Sequence, residues 1–278
     1  MQVKLVAFDL DGTFLDDEKN IPPENLLALE EAAARGVVLV PATGRIVRGI
    51  PETIKSLPAV RYFIVSNGAG VYDAREDRLV HRADIPLALA LRCYEYLDTL
   101  PVLYDCYQDD AGYMTLSMLE RAPEIFGKYP PMLQMLRQLR RPVPELKAYL
   151  REKGRPLQKL QAFFREEDYP LRAELLQTLP QRFPELTPTT SVPFNIEINS
   201  AHAGKGKALR ALCALLGIPP EQSLAFGDGT NDRELLELAG FGMAMANADP
   251  AVLAAADGVT GDNNHAGFAE GLRRMLQA

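Results

Sequence analysis

The chain has 278 residues, 47% hydrophobic and 24% charged, so it can bury the core of one large or two ordinary domains, and disorder is excluded as its default. A net charge of −7 and a pI near 5.2 argue against nucleic acid or an anionic membrane as a partner; an anionic ligand would need a local patch of cations or a metal. No apolar run approaches the roughly 18 residues of a membrane span, the chain opens as a strand rather than a signal peptide, and three cysteines without motif spacing read as buried thiols of a cytoplasmic protein.

Leu5 to Phe8 form a short apolar run, as expected of a buried parallel strand, and it leads straight into Asp9 and Asp11 with Gly12 behind them. Ligands of open α/β sheets bind at the carboxyl ends of strands, and Gly12 lets the loop curl around a small anion. Two carboxylates about 4 Å apart repel by roughly 4 kcal/mol at an effective dielectric near 20. A divalent, oxygen-seeking cation relieves that repulsion, with Mg²⁺ the candidate. The plainer alternative is an Asx-turn with a solvated second acid.

Pro22, Pro23 and Glu24 open a helix that Gly36 closes, and Val37 to Val40 form a second buried strand ending in Thr43, Gly44 and Arg45. A helix is expected from there to Leu57, kinked or restarted at Pro51. Tyr62 to Val65 read as a third strand of a doubly wound parallel sheet, followed by a hairpin through Val71-Tyr72 and Leu79 to His81. Between residues 84 and 198 the strands alternate, Lys159 to Phe163 and Phe194 to Ile198 most clearly. That pattern predicts an antiparallel sheet with one face on helices and one face wet. Pro123 to Pro144 can be placed only loosely. Buried-strand texture then returns: a helix from Gly204 to Leu216, a strand Ser223 to Phe226 ending in Gly227-Asp228-Gly229-Thr230-Asn231-Asp232, and a last strand and helices. The expected architecture is therefore an α/β core, residues 1–83 and 199–278, with an inserted α+β domain at 84–198.

Each core strand end contributes one kind of group: Asp9 and Asp11, then Thr43 with the Gly44 amide, then Asp228 and Asp232. Lys205 adds a positive charge at a helix start. Carboxylates, a hydroxyl, a lysine and helix N-termini are the parts that phosphoryl transfer needs. Singly each has a bland reading: Thr43 as a helix cap, Lys205 as a solvated lysine, Asp228 as a turn, Asp232 as a first-turn acid. The three histidines do not form a zinc pattern, no G-x-S-x-G occurs, and neither a P-loop nor a dinucleotide fingerprint is complete.

In this order, DLDGT, TGR, Lys205-Gly206 and GDGTND resemble the four motifs of the haloacid dehalogenase superfamily of phosphatases. Ser66 to Ala69, Ala244 to Ala248 and Gly261 to Asn263 resemble its Cof-type branch, whose class II, subtype B cap sits between the second and third motifs. The resemblance implies Asp9 as nucleophile and Asp11 as acid/base, with Thr43 and Lys205 on the phosphoryl oxygens. It places Mg²⁺ on the carboxylates of Asp9 and Asp228 and the main-chain carbonyl of Asp11, with Asp232 orienting Lys205 or a water ligand of the metal. Leu10, Gly44, Arg45 and Asn231 would contact substrate, although a solvated helix arginine is the plainer reading of Arg45. The tail after Gly261 departs mildly from the pattern, with His265 and Ala266 where acids are common, and its distance in sequence from the motifs argues for little weight. The implied activity is hydrolysis of small phosphate esters, sugar phosphates by default, by a monomer or weak homodimer. Phosphomutase transfer and a silent phosphate-binding protein are the alternatives.

Overall fold

The computed structural model describes residues 2–277. They divide into two compact units: residues up to Arg45, Ile50–Arg82 and Ala203 onward form the first, and Ile46–Gly49 with Ala83–His202 form the second. The strands, in chain order, begin with β1 (Leu5–Phe8), β2 (Val38–Pro41), β3 (Tyr62–Val65), β4 (Gly70–Asp73) and β5 (Arg78–Arg82). The second unit holds β6 (Leu103–Gln108), β7 (Ala111–Thr115), β8 (Arg140–Val143), β9 (Lys159–Phe163), β10 (Leu186–Thr189) and β11 (Asn195–Ser200). The chain then returns to the first unit with β12 (Ser223–Gly227), β13 (Phe241–Ala244) and β14 (Gly258–Val259).

The first unit is built on a parallel sheet in the order β14-β13-β12-β1-β2. From β1 the chain steps outward to β2, then comes back much later to β12 on the other flank. The order thus reverses between β1 and β12, the place outside the strand ends where open parallel sheets bind their ligands. Every residue of β1 and β12 is buried, as a strand covered on both faces requires. Near these strand ends, Phe8, Phe14 and Phe226 pack on Phe268 of the last helix, Gly267–Gln277, with ring centroids 4.8 to 5.2 Å apart.

Two expectations hold only in part. Strand β3 runs parallel beside β2, as expected, but is joined to it by isolated bridges, Leu39 to Val60 and Ala42 to Ile64, rather than by a full ladder. Its full ladder is antiparallel, to β4, in a separate sheet β3-β4-β5, because the tight turn after Val65 folds the chain straight back. The helix expected to run to Leu57 is a single 3₁₀ turn, Val47–Gly49, and a four-residue helix, Glu52–Lys55. Pro51 restarts the helix, as expected, because it has no N–H to continue one and sits just ahead of the new one.

The second unit has a six-stranded sheet in the order β10-β11-β9-β6-β7-β8. Helices Leu87–Leu97, Leu146–Lys153 and Tyr169–Arg182 pack on the face that carries Tyr104, Cys106, Leu160, Ala162, Ile196 and Ile198. The stretch that resisted placement, Pro123 to Pro144, becomes helices Pro123–Phe126 and Pro130–Leu139, each with a proline in the first turn, and strand β8; helix Leu116–Arg121 precedes them. They cover Leu103, Met114 and Phe163 on the opposite face. That face is not the wet one expected. Every residue of β6, β7, β9 and β11 is buried, and its polar residues pair with one another, Arg140 with Asp105 at 2.5 Å and Lys159 with Glu197 at 3.2 Å.

Phe268 touches three other buried rings, so Phe268→Ala leaves a cavity that rigid strands cannot close. We expect a loss of about 3–5 kcal/mol in urea unfolding; a loss below about 1 kcal/mol would show that the ring cluster does not anchor the sheet.

Candidate active site

Four strand or helix ends of the first unit converge where the strand order reverses. Asp9 and Asp11 follow β1, Asp228 follows β12, Asp232 lies one turn further on, and Lys205 opens the helix Lys205–Leu216. Carboxylate oxygens of Asp9, Asp228 and Asp232 lie within 4.8 Å of one another. Lys205 is only 1% exposed, and its Nζ donates to Asp9 Oδ1 and to Asp232 Oδ1, each at 2.5 Å. The reading of Lys205 as a solvated helix-start lysine is thereby excluded. Asp232 uses its other oxygen to accept from the amides of Asp228 and Gly229, at 3.2 and 3.0 Å, which pins the loop. Asp228 Oδ1 accepts from the Thr13 hydroxyl at 2.6 Å. Asp9 Oδ2 and Asp228 Oδ2 take part in none of these bonds. Gly12 makes room for the latter: its φ is +87°, and a Cβ there would come within 2.3 Å of Asp228 Oδ2.

Asp11 points elsewhere. Arg45 grips it with two hydrogen bonds, Nε to Oδ2 at 3.0 Å and Nη2 to Oδ1 at 2.7 Å, and Lys19 adds a contact at 3.0 Å. Arg45 is therefore neither a helix residue nor simply solvated; it lies in the loop after β2 as the partner of Asp11. Thr43 is buried and caps no helix. Its hydroxyl accepts from the Arg45 amide at 3.2 Å, and its carbonyl accepts from the Asn67 amide at 3.1 Å. Gly44 occupies the bend between them. Leu10 is fully buried, so its side chain cannot meet a ligand. Asn231 donates to Asn67 Oδ1 at 3.2 Å.

Several supporting residues were given no role from the sequence. Thr13, Lys19 and Asn67 act through partners up to 215 positions away, as in the Thr13–Asp228 bond. Asn247 donates to the Gly12 carbonyl at 2.8 Å, and Asn263 donates to the Leu15 carbonyl at 3.1 Å and to Asp17 at 3.0 Å. The tail after Gly261, discounted for its distance in sequence, thus braces the loop that carries Asp11. The Asn types within the Ala244–Ala248 and Gly261–Asn263 matches were the available signal.

Burial and the neighbouring acids Asp232, Asp228 and Asp11 raise the Asp9 carboxyl well above the usual range, against the pull of Lys205. Burial opposes charge on Lys205 too, but Asp232 and Asp9 outweigh it and hold the ammonium above its ordinary value. For Asp11, burial is outweighed by Arg45 and Lys19, and its pKa is lowered. Asp228, mainly by burial, is pushed up to about 6 from 3.8. A carboxyl whose folded pKa is raised lends stability that is complete below the unfolded value and is lost as pH rises through the folded one. In chelator, then, Asp228→Asn should melt higher than the parent at about pH 7.5, with the gap closing toward about pH 4. Equal melting at both pH values would contradict the strained carboxylate.

Comparison with known proteins agrees with this geometry. A family model of haloacid dehalogenase-like hydrolases matches residues 6–272. The 5-amino-6-(5-phospho-D-ribitylamino)uracil phosphatase YcsE of Bacillus subtilis is 30% identical over 280 residues, covering 99% of this chain and 97% of that protein. The HMP-PP phosphatase of Escherichia fergusonii is 30% identical over 89% of this chain and 85% of its own. The solved structure of a haloacid dehalogenase-like hydrolase from B. subtilis matches with a TM-score of 0.81 at 29% identity, over 99% of this chain and 100% of that one. The motifs at the strand ends and the match along nearly the whole length lead to one conclusion: the chain is an enzyme and belongs to the haloacid dehalogenase-like hydrolase family.

Proposed function

We propose that the chain is a Mg²⁺-dependent phosphatase of small phosphorylated metabolites, sugar phosphates foremost, working through a phosphoryl group carried on Asp9. The observation that carries this reading is the state of Asp9. It is buried at the reversal of strand order, with one oxygen tied to Lys205 and the other open beside Asp228. The relatives add weight, since one acts on a phosphorylated ribitylamino-uracil and another on HMP-PP, both small phosphorylated molecules by name.

The metal fits the donors present. The cluster offers carboxylate oxygens only, with neither thiol nor imidazole, and Asp9 Oδ2 and Asp228 Oδ2 are the oxygens left over for an oxygen-loving ion. Asp232 has no oxygen to spare, so it serves Lys205 and the loop instead. With the Asp11 carbonyl completing the set, Mg²⁺ would offset the repulsion among the acids and supply positive charge toward the phosphoryl oxygens.

The chain's own groups then divide the work. Asp9 forms the bond to phosphorus as the ester oxygen leaves, and Asp11 gives that oxygen its proton. Water next attacks the aspartyl-phosphate and loses its proton to Asp11, which frees Asp9 and releases phosphate. Lys205, Thr43, the Gly44 amide and the Leu10 main chain face the charge on the phosphoryl oxygens, and Asn231 contacts their edge. Arg45 and Lys19 hold Asp11 as a carboxylate, which suits the base step, so their grip must loosen before Asp11 can carry the proton for the first step. We assign residues 1–83 and 199–278 to this chemistry and the inserted residues 84–198 to the choice of substrate.

Turnover of p-nitrophenyl phosphate should require Mg²⁺ and vanish in Asp9→Asn; activity within tenfold of wild type would overturn the nucleophile. Asp11→Asn should separate the two steps, because general acid–base help is worth roughly 10²–10⁴-fold and nitrophenolate leaves without it. We expect a burst of nitrophenol approaching one equivalent and then near silence, and steady turnover at the wild-type rate would show that Asp11 is not the acid/base.

A further inference from the structure

Two helices of the second unit, Leu87–Leu97 and Tyr169–Arg182, bring their last turns together. Tyr96 of the first and Phe183, directly after the second, have ring centroids 6.1 Å apart. A hollow of about 500 Å³ opens there, lined by Arg92, Glu95, Tyr96, Thr99, Arg182 and Phe183. That volume falls within the roughly 300–1,000 Å³ of small-molecule sites and is far more than a bare inorganic ion fills. Every lining residue belongs to the second unit, and none is a residue of the candidate active site. Phe183 is only 3% exposed and packs in the core of its unit, whereas Arg92, Glu95, Thr99 and Arg182 are exposed. The hollow therefore has a fixed apolar floor and a polar rim open to solvent.

Its charges do not cancel. Arg182 lies over the Tyr96 ring at 4.3 Å, and the guanidiniums of Arg92 and Arg182 lie 5.8 and 6.0 Å from the Phe183 centroid. Two like charges are thus gathered about one ring. Among the described residues neither guanidinium has an ion pair or a hydrogen bond. A ring fixes the position of a guanidinium without using up its five N–H donors, and such a fork matches a carboxylate or a phosphate. Glu95 is the one acid of the hollow, and Arg151 faces it at 3.9 Å. The two helix ends add about half a negative charge each, which two full guanidinium charges exceed. A doubly charged anion relieves the repulsion between Arg92 and Arg182, where a single charge relieves only part of it. The other side of the hollow accepts hydrogen bonds: the Glu95 carboxylate does so, and the Thr99 hydroxyl, whose proton goes to the Tyr96 carbonyl at 2.7 Å, does too. Hydroxyl donors on the ligand suit that side.

We propose that this hollow is a binding site for a small hydroxylated organic dianion, a phosphate monoester or a hydroxy-dicarboxylate. Its anionic groups meet Arg92 and Arg182, and its hydroxyls meet Glu95 and Thr99. The site does not depend on the phosphatase reading above.

NMR titration of the full-length protein, read at the arginine Nε–H groups, tests the site. The probes are malate and a dihydroxybutyl phosphonate, whose P–C bond a phosphatase cannot hydrolyse, with lactate as the singly charged comparison. Saturable shifts at Arg92 and Arg182 are expected with at least one dianion: malate alone assigns a dicarboxylate, the phosphonate alone a phosphate ester, and both the shared dianion chemistry. Lactate should bind at least tenfold more weakly. Arg92→Gln and Arg182→Gln should each weaken the dianion at least tenfold, and both should fold because the two side chains are exposed. Arg182→Lys, which keeps the charge without the fork, should fall between wild type and Arg182→Gln. Arg210→Gln removes an exposed charge from the first unit and should leave the affinity unchanged. No saturable shift at either arginine, shifts confined to the candidate active site, equal affinity for lactate, or wild-type affinity in both glutamine variants would overturn the site.

Discussion

A lysine ammonium buried between two carboxylates is the interaction on which the candidate site depends. Lys205 bridges Asp9 and Asp232, and all three are almost wholly buried. Without the cation, Asp9 would face Asp232 and Asp228 across a few ångströms in a medium that screens poorly. Removing one member of such a buried set costs about 3–5 kcal/mol, because the remaining charges lose their compensation. The arrangement also decides which oxygens stay available. Lys205 takes one from Asp9 and one from Asp232, and the loop amides take the last from Asp232, so the open oxygens belong to Asp9 and Asp228. The proposed nucleophile and the proposed cation site are thus set apart by hydrogen bonding alone.

The sheet makes that bridge possible. Asp9 and Asp228 end neighbouring parallel strands, β1 and β12, whose register pairs Phe8 with Phe226 one and two residues before them. Two acids that lie more than 200 positions apart are thereby brought to the same level of the sheet. The Phe8, Phe14, Phe226 and Phe268 rings hold those strand ends from beneath. Arg45 completes the arrangement at the end of β2 by turning Asp11 away from the other acids, which keeps the two carboxylates of the first loop in different environments.

Much of this was legible in the sequence, for definite reasons. Fully buried strands show as short apolar runs, and Leu5 to Phe8 and Ser223 to Phe226 did. Acids placed directly after such runs marked the strand ends, so Asp9, Asp11 and Asp228 could be identified before any contact was known. Pairings were another matter. Nothing local says that Lys205 reaches Asp232 rather than water, that Arg45 grips Asp11, or that Asn263 supports the Leu15 loop, since each depends on chain segments that meet only after folding. The alternation in Lys159 to Phe163 misled for a physical reason: period two reports two different faces, and it was taken to report water. Here the polar face is buried and satisfies most of its charges internally. Strand β3 does lie parallel to β2, but an apolar run does not say that its full ladder is made with the strand that follows it.

The central claim is that the phosphoryl group passes through Asp9. Acid quenching during steady turnover of a phosphate ester, followed by proteolysis and mass spectrometry, reads this directly because acyl phosphates survive at low pH. The account predicts a phosphorylated peptide whose modified residue is Asp9, labile to hydroxylamine and absent without substrate. A phosphorylated peptide mapping to another residue, or turnover with no phosphorylated peptide in wild type and none in the slow Asp11→Asn enzyme, would contradict it.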